Sequence, residues 1–378
     1  MQKIVILFSF TFLKRDYERF GIDILKKNFI VKIIDFSSWF YPSYSKLFNK
    51  DIFKEEKISI EKKSDFLALN FKNEKLIIFD FLDPNQKSFW VRERLKSNNN
   101  IFLTFDLNPI PKAEIPKYYL FKRYINFILN PKMFFYLLKS KIYSKKNNYI
   151  PDINVLAGQE SFSHEKTKKK IYVHSMDYDL YLKSKSNNLE KKNKPYAVFI
   201  DQDLITHPDM KIFNYGTPVT ENKYYSSLLN FFKNFKKQTG LDIKCAIHPK
   251  SQNKKLKNLL NGIDYSIGNT QELIKNSSLV LLHSSTAMSF AVLYEKPVIF
   301  LTSNELNKSW LWPRIKKFSE YSCTTPINID KDLPSQLNLN EILKLDKEKY
   351  LKYLNQYLKF PNTPDISLWE MVSKHLIS

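Results

Sequence analysis

Three short polar clusters, each placed directly after an apolar run, carry the side chains best suited to chemistry. Asp201-Gln202-Asp203 follows YAVFI (196–200), with His207-Pro208-Asp209 close behind. His248-Pro249 follows LDIKCAI (241–247), and His283-Ser284-Ser285-Thr286 follows SLVLL (278–282). Two carboxylates at that spacing can deprotonate a hydroxyl or, together with phosphates, hold a hard divalent cation. They equally suit a turn whose backbone N–H groups they bind. Proline holds the residue before it extended, so His248 is fixed in a turn where its imidazole can donate to a phosphate oxygen, with Lys250 at hand. A surface histidine beside a turn proline is the plainer reading. The hydroxyls of Ser284, Ser285 and Thr286 stand where the next helix begins, with its unpaired backbone N–H groups. The helix dipole adds only about 0.3–1 kcal/mol at an exposed site, so the hydroxyls and a nearby histidine must supply the rest of any phosphate cradle. A hydroxyl N-cap with no ligand is the alternative.

The elements that must position these clusters alternate between apolar strands and helical patterns, the mark of open α/β sheets. KIVILFSF (3–10), IVKIIDFS (30–37), KLIIFDFL (75–82) and NIFLTFDL (100–107) read as strands of a first unit. A polar, Lys- and Asn-rich stretch over about 180–194 reads as a linker. In the second half, YYSSLLNFFKNFKKQTG (224–240) has helical spacing and ends at Gly240, as a C-cap would. NTQELIKN (269–276) opens with a capping-box-like Asn269 and Glu272, and AMSFAVLYE (287–295) and KPVIFL (296–301) follow as helix and strand. The expected division is 1–182 for an N-terminal Rossmann-like domain and 183–345 for a C-terminal one. Residues 346–378 are expected as C-terminal helices able to pack back on the N-terminal domain. Two Rossmann-like α/β domains leave a cleft between them, and ligands of such sheets sit beyond the carboxyl ends of strands. All three polar clusters fall at such ends.

Composition narrows the classes. At 378 residues, with 43% hydrophobic and 15% aromatic content, the chain can bury two cores and does not read as disordered. The net charge of +22 favours anionic partners. No nucleic-acid-binding module accompanies that charge, so nucleic acid is not the expected partner. Cys245 and Cys323 are the only cysteines, which speaks against a disulfide framework and for a reducing, cytoplasmic setting. The apolar N-terminus is too short to span a bilayer and reads as a first strand. The aromatic and basic stretch Tyr118 to Tyr143 reads either as packed helices or as a surface for anionic lipid, with peripheral contact at the inner membrane as an option.

The order of an acidic motif, His248-Pro249 and Ser284-Ser285-Thr286 resembles bacterial glycosyltransferases of the two-Rossmann GT-B type that use CMP-activated nonulosonic acids or Kdo. The resemblance is best over residues 195–302. It implies transfer of a sialic, legionaminic or pseudaminic type of sugar, or Kdo, from CMP to a glycan or lipid-linked acceptor of a surface polysaccharide or glycoconjugate. It further implies that the N-terminal domain is the acceptor side and the C-terminal domain binds the nucleotide sugar, that an acidic residue, Asp201 or Asp203, is the general base, and that His248 binds the CMP phosphate and acts as general acid. Pro249, Lys250, Ser284, Ser285 and Thr286 would complete the nucleotide site, with no metal required. Gln202 and His207 are weaker candidates. The family's paired acidic residues followed by glycine are absent here, so Asp177 and Asp179 in HSMDYDLY rival Asp201 as the base.

A UDP- or GDP-sugar transferase of the same fold, a nucleotide-sugar epimerase and a non-catalytic subunit of envelope glycan assembly are the alternatives. Many UDP-sugar transferases carry a glutamate near the start of the C-terminal-domain helix to grip ribose hydroxyls. Here the first glutamate of that helix is Glu295, at its end.

Overall fold

A computed structural model of the chain describes residues 1–48, 56–71, 74–96, 99–114, 138, 149–167, 169–185, 194–207, 210, 216–251, 253–331, 333 and 339–377. The aromatic-basic stretch over 118–143, apart from Leu138, lies outside the described residues, as do Pro208, Asp209 and residues 186–193 of the expected linker. The described residues fall into two compact units. One draws on Met1–Pro109, Phe121–Leu182 and Lys359–Ser378, the other on Ile110–Leu120 and Lys183–Leu358.

The first unit is a seven-stranded, all-parallel sheet: β1 (Lys3–Phe8), β2 (Ile30–Asp35), β3 (Lys57–Ser59), β4 (Leu76–Phe81), β5 (Ile101–Asp106), β6 (Ile153–Leu156) and β7 (Lys169–Tyr172), in the order β3-β2-β1-β4-β5-β6-β7. Strands of such sheets are buried on both faces and read as unbroken apolar runs. β1 obeys this: Ile4 and Ile6 enter one core cluster, while Val5 and Leu7 enter the other. Two short helices follow β1, Lys14–Arg19 and Ile22–Leu25, broken at Gly21. Gly21 takes φ 53° and lies against the Trp369 side chain, so the break is required by both conformation and space. Trp369 belongs to the C-terminal helix Leu368–Ile377 and donates its indole N–H to the Arg19 carbonyl at 2.7 Å. The stretch expected as linker from 180 starts later, because helix Met176–Lys185 continues through it with Asp177 and Asp179 in its first turn.

The second unit is a six-stranded parallel sheet: β8 (Tyr196–Ile200), β9 (Asp242–Ile247), β10 (Asp264–Ile267), β11 (Leu279–Leu282), β12 (Val298–Thr302) and β13 (Ile327–Asn328). Its order, β10-β9-β8-β11-β12-β13, is the 3-2-1-4-5-6 order of a Rossmann sheet. Helix Glu221–Thr239 buries Tyr224, Leu228, Phe231, Phe232 and Phe235, a stripe at helical spacing. Phe232 packs edge-on to Phe199 of β8, with ring centroids 5.3 Å apart. Gly240 ends the helix at φ 71°, as its position in the sequence implies. The capping box expected at Asn269 does not form. The Asn269 side chain instead donates to the Ser266 hydroxyl at 3.0 Å and leaves helix Thr270–Lys275 without a side-chain cap. Among the described residues no helix is long and apolar enough to cross a membrane.

Candidate functional site

In the second unit β8 is the first strand laid down, and the chain adds β9 on one side and β11 on the other. The crevice at such a reversal, beyond the carboxyl ends of the strands, is where open α/β sheets bind ligands. The three polar clusters stand there: Asp201-Gln202-Asp203 after β8, His248-Pro249 after β9, and His283 to Thr286 after β11. Their register is tied directly. The Asp201 N–H continues the β8–β9 ladder to the Ala246 carbonyl at 3.0 Å. On the other side, the Ser284 backbone N–H donates to Gln202 Oε1 at 2.8 Å.

The two carboxylates of the acidic cluster have different surroundings. Asp203, 1% exposed, sits at φ 50°, a left-handed conformation that aspartate tolerates better than most residues. Its Oδ1 accepts from the Thr206 N–H at 2.9 Å and from the Thr206 hydroxyl at 2.8 Å, and Oδ2 accepts from that hydroxyl at 2.7 Å. Asp203 is therefore a turn former, and the plainer reading of the Asp-x-Asp pattern accounts for it. Asp201, 4% exposed, accepts one bond on Oδ1 from the Asp203 N–H at 3.1 Å. Its Oδ2 is buried without a partner. Burial first, and the Asp203 charge second, push the Asp201 carboxyl up to about 7, partly offset by that backbone bond.

His248 is held by its own turn. Its Nδ1 accepts from the Lys250 N–H at 3.1 Å, and its carbonyl accepts from the Ser251 N–H at 2.9 Å. An accepting Nδ1 leaves the ring proton on Nε2, which makes that nitrogen a donor. The His207 ring meets His248 edge-on, with centroids 4.5 Å apart, so the structure brings these two together. Pro249 is exposed and Lys250 half-buried.

After β11, His283 turns inward. Its Nδ1 faces the Leu301 carbonyl at 2.7 Å and its Nε2 faces the Tyr224 hydroxyl at 2.8 Å. A carbonyl can only accept, so Nδ1 donates and Nε2 accepts from the phenol. Burial depresses this imidazole to about 4, so it is a neutral core group. Ser284, wholly buried, has a hydroxyl with no partner. The Ser285 hydroxyl accepts from the Ala287 N–H at 3.2 Å, and Thr286 is exposed. The helix expected from Ala287 spans only Met288–Leu293, and Ser284 to Thr286 form the turn before it.

Asp177 and Asp179 belong to the first unit and have structural partners there. Arg19 Nη2 donates to Asp177 at 3.1 Å. The Leu368 N–H, first in the C-terminal helix, donates to Asp179 at 2.8 Å. Among the described residues, no three His, Cys, Asp or Glu side chains gather as metal ligands. A groove of about 560 Å³ lined by Asn230, Lys233, Lys236, Lys244 and Gly262 lies elsewhere in the second unit, and none of the candidate residues lines it.

Three residues at the crevice were not marked by the sequence. Tyr224 and Tyr225 read only as apolar-face positions of a helix, yet the first holds His283 and the second, pushed up first by burial, also feels the Asp201 charge. Asn253 follows His248 by five positions, and its Nδ2 is buried with only the Tyr225 phenol beside it. Its Oδ1 accepts from the Lys255 N–H at 3.0 Å, an ordinary loop contact that the local sequence does not reveal.

No protein-family profile matches the chain, and no curated protein sequence matches it. Among solved structures it is similar to MnaA of S. aureus in a co-structure with UDP, with a TM-score of 0.52 and 11% identity over 100% of this chain and 95% of that one. Methanocaldococcus jannaschii UDP-GlcNAc 2-epimerase, in complex with UDP-GlcNAc and UDP, is similar with a TM-score of 0.48 and 12% identity over 100% of both chains. Acinetobacter baumannii MurG is similar with a TM-score of 0.47 and 8% identity over 100% of this chain and 98% of that one. The two parallel sheets and the C-terminal helices give the chain a GT-B-like fold.

Proposed function

We propose that this chain acts on a nucleotide-activated sugar, as a glycosyltransferase whose donor phosphate sits beyond the carboxyl ends of β8, β9 and β11. The observation that carries the reading is the convergence, at one strand-order reversal, of the His248 turn and the buried, unpartnered Ser284 hydroxyl. His248 Nε2–H donates to a phosphate oxygen and supports departure of the nucleotide. Lys250 adds positive charge, Pro249 holds the turn, and Ser284 to Thr286 supply hydroxyl and backbone donors.

Two donor classes each have an observation in their favour. A UDP-sugar, used by a transferase or an epimerase, is favoured by the likeness to MnaA in its co-structure with UDP. A CMP-activated nonulosonic acid or Kdo, passed to a glycan or lipid-linked acceptor, is favoured by the order of the His-Pro and Ser-Ser-Thr motifs. It is also favoured by the lack of a glutamate in helix Met288–Leu293, since exposed Glu295 lies beyond its end.

The test is a panel of CMP-, UDP- and GDP-sugars, with and without mixed glycan acceptors. Nucleotide release and any acceptor-independent change in the sugar are followed by NMR. Turnover confined to one donor class assigns the donor. Failure of every donor to bind, and of any nucleotide to be released, would sink the reading. His248→Ala is expected to lose turnover while its unfolding transition stays in place, and unchanged turnover would reduce His248 to a turn residue.

A further inference from the structure

Three of the buried polar atoms in the second unit are short of partners at one place: Asp201 Oδ2 and Ser284 Oγ make no hydrogen bond, and Asn253 Nδ2 has only the Tyr225 phenol beside it. Each stands beyond the carboxyl end of one of three adjacent strands: β8, β11 and, through its following loop, β9. The β8–β11 register pairs Leu279 with Ala197 and Leu281 with Phe199, which puts Ser284 level with Gln202. The Gln202–Ser284 bond confirms that placement and holds the serine backbone in position. Asn253 lies against Tyr225, the same phenol that feels the Asp201 charge. Its Oδ1 accepts from the Lys255 N–H at 3.0 Å, which turns Nδ2 the other way.

An unmade hydrogen bond on a buried group costs about 1–3 kcal/mol, and a native group short of protein partners pairs with water, an ion or a ligand. The gathering of three such groups at one crevice points to a ligand there. Their chemistry states which kind. The asparagine Nδ2 can only donate, the serine hydroxyl can donate, and a carboxyl can donate only when protonated. We infer that Asp201 in its protonated form, Ser284 and Asn253 make a set of three donors for the phosphate oxygens of a nucleotide, and that ligand binding takes up one proton. This rests on the nucleotide-sugar reading above and changes one part of it: Asp201 serves the phosphate, and does not deprotonate the acceptor hydroxyl.

The surroundings of Asp201 favour the proton. Asp203 presents the negative charge that acts on it from its own turn. Tyr224 and Tyr225 from helix Glu221–Thr239, and Cys245 from β9, are each pushed up by burial and stay neutral. His283, depressed to about 4, contributes no positive charge near neutrality. A phosphate anion beside the carboxyl raises it further, which is the same coupling seen from the ligand side.

The experiment is titration calorimetry of UDP-N-acetylglucosamine and, separately, CMP-N-acetylneuraminate from pH 6.5 to 8.5, in buffers of different ionisation enthalpy. Neither probe changes its own phosphate ionisation over that range. Wild type is expected to lose affinity for the probe it binds by roughly tenfold per pH unit above about 7, with one proton taken up. Asp201→Asn, which keeps a donor of the same shape, should bind that probe with a flat profile and no proton uptake. Ser284→Ala should bind at least tenfold more weakly with the wild-type slope retained. Equal slopes in wild type and Asp201→Asn, or a flat wild-type profile, would overturn the inference and leave the nucleotide-sugar reading standing. Absence of binding by both probes at pH 6.5 would overturn both.

Discussion

Gln202 Oε1 accepts the backbone N–H of Ser284 at 2.8 Å and so joins the carboxyl ends of β8 and β11 across the strand-order reversal. Ser284 is wholly buried, so its N–H has no water to turn to. Gln202→Ala is expected to cost about 1–3 kcal/mol in urea unfolding, the usual penalty for a stranded buried donor. The glutamine is thus a positioning residue for the serine turn. No change in the unfolding midpoint would show that the turn is held by its neighbours alone.

Two buried groups in the second unit give stability opposite dependences on pH. The Asp201 carboxyl ionises at about 7 in the folded chain against 3.8 for its ordinary value, so its contribution is whole below 3.8 and lost as pH rises through 7. His283 goes the other way: lowered from 6.5 to about 4, it contributes above 6.5 and loses that contribution as pH falls towards 4. Each contribution is on the order of 3–5 kcal/mol at most. Between about pH 4 and 6.5 the two offset each other in wild type. Asp201→Asn should expose the histidine limb alone, with stability climbing over that interval and no loss on passing pH 7. Parallel wild-type and variant curves in urea unfolding across pH 4–8 would refute the assignment.

Tyr224→Phe tests the other side of the same histidine. It leaves His283 Nε2 buried with no donor, because the phenol at 2.8 Å is its partner. A loss of about 1–3 kcal/mol is expected, and nucleotide binding is expected to survive because His283 faces away from the crevice. Thermal unfolding with and without nucleotide checks both halves.

Asp179 is bonded to the first N–H of the C-terminal helix, a group that has no partner within the helix itself. Asp179→Ala should cost about 1–2 kcal/mol in chemical unfolding, comparable to loss of a helix cap. Turnover per folded molecule should not change. A variant of unchanged stability that no longer turns over would restore Asp179 as the base.

Gly21→Ala should be among the more damaging single methyl additions in the first unit. The new Cβ would overlap the Trp369 indole, at a backbone angle of φ 53° that alanine disfavours. The expected cost is about 2–4 kcal/mol, combining overpacking with backbone strain. Trp369→Ala in the same chain should recover part of the difference between alanine and glycine at position 21. A fully additive double variant would place the strain elsewhere.

Much of the architecture was legible because parallel strands buried on both faces have no choice but to be apolar throughout. KIVILF, LIIFDF, YAVFI and VIFLT announce themselves, and Gly240 marks a helix end by its conformational freedom alone. The short edge strands β3, β10 and β13 carry no such pattern, since an edge position is only partly buried. Helix Met176–Lys185 was hidden for a related reason: its aspartates and lysines look like linker until Arg19 and Leu368 supply their partners.

For the site, the sequence by itself determined that carboxylate, imidazole and hydroxyl clusters each end a strand, because apolar runs and the polar breaks after them are local features. Only the tertiary structure decided which members are spent on the protein's own turns and core. Asp201 and Asp203 are indistinguishable as letters, yet one is saturated by Thr206 while the other keeps a bare oxygen in the interior. His248 and His283 separate in the same way, into a turn-held donor and a neutral core group. Strand order made the difference. By placing β9 and β11 on either side of β8, it brings residues some fifty to eighty positions apart to one crevice.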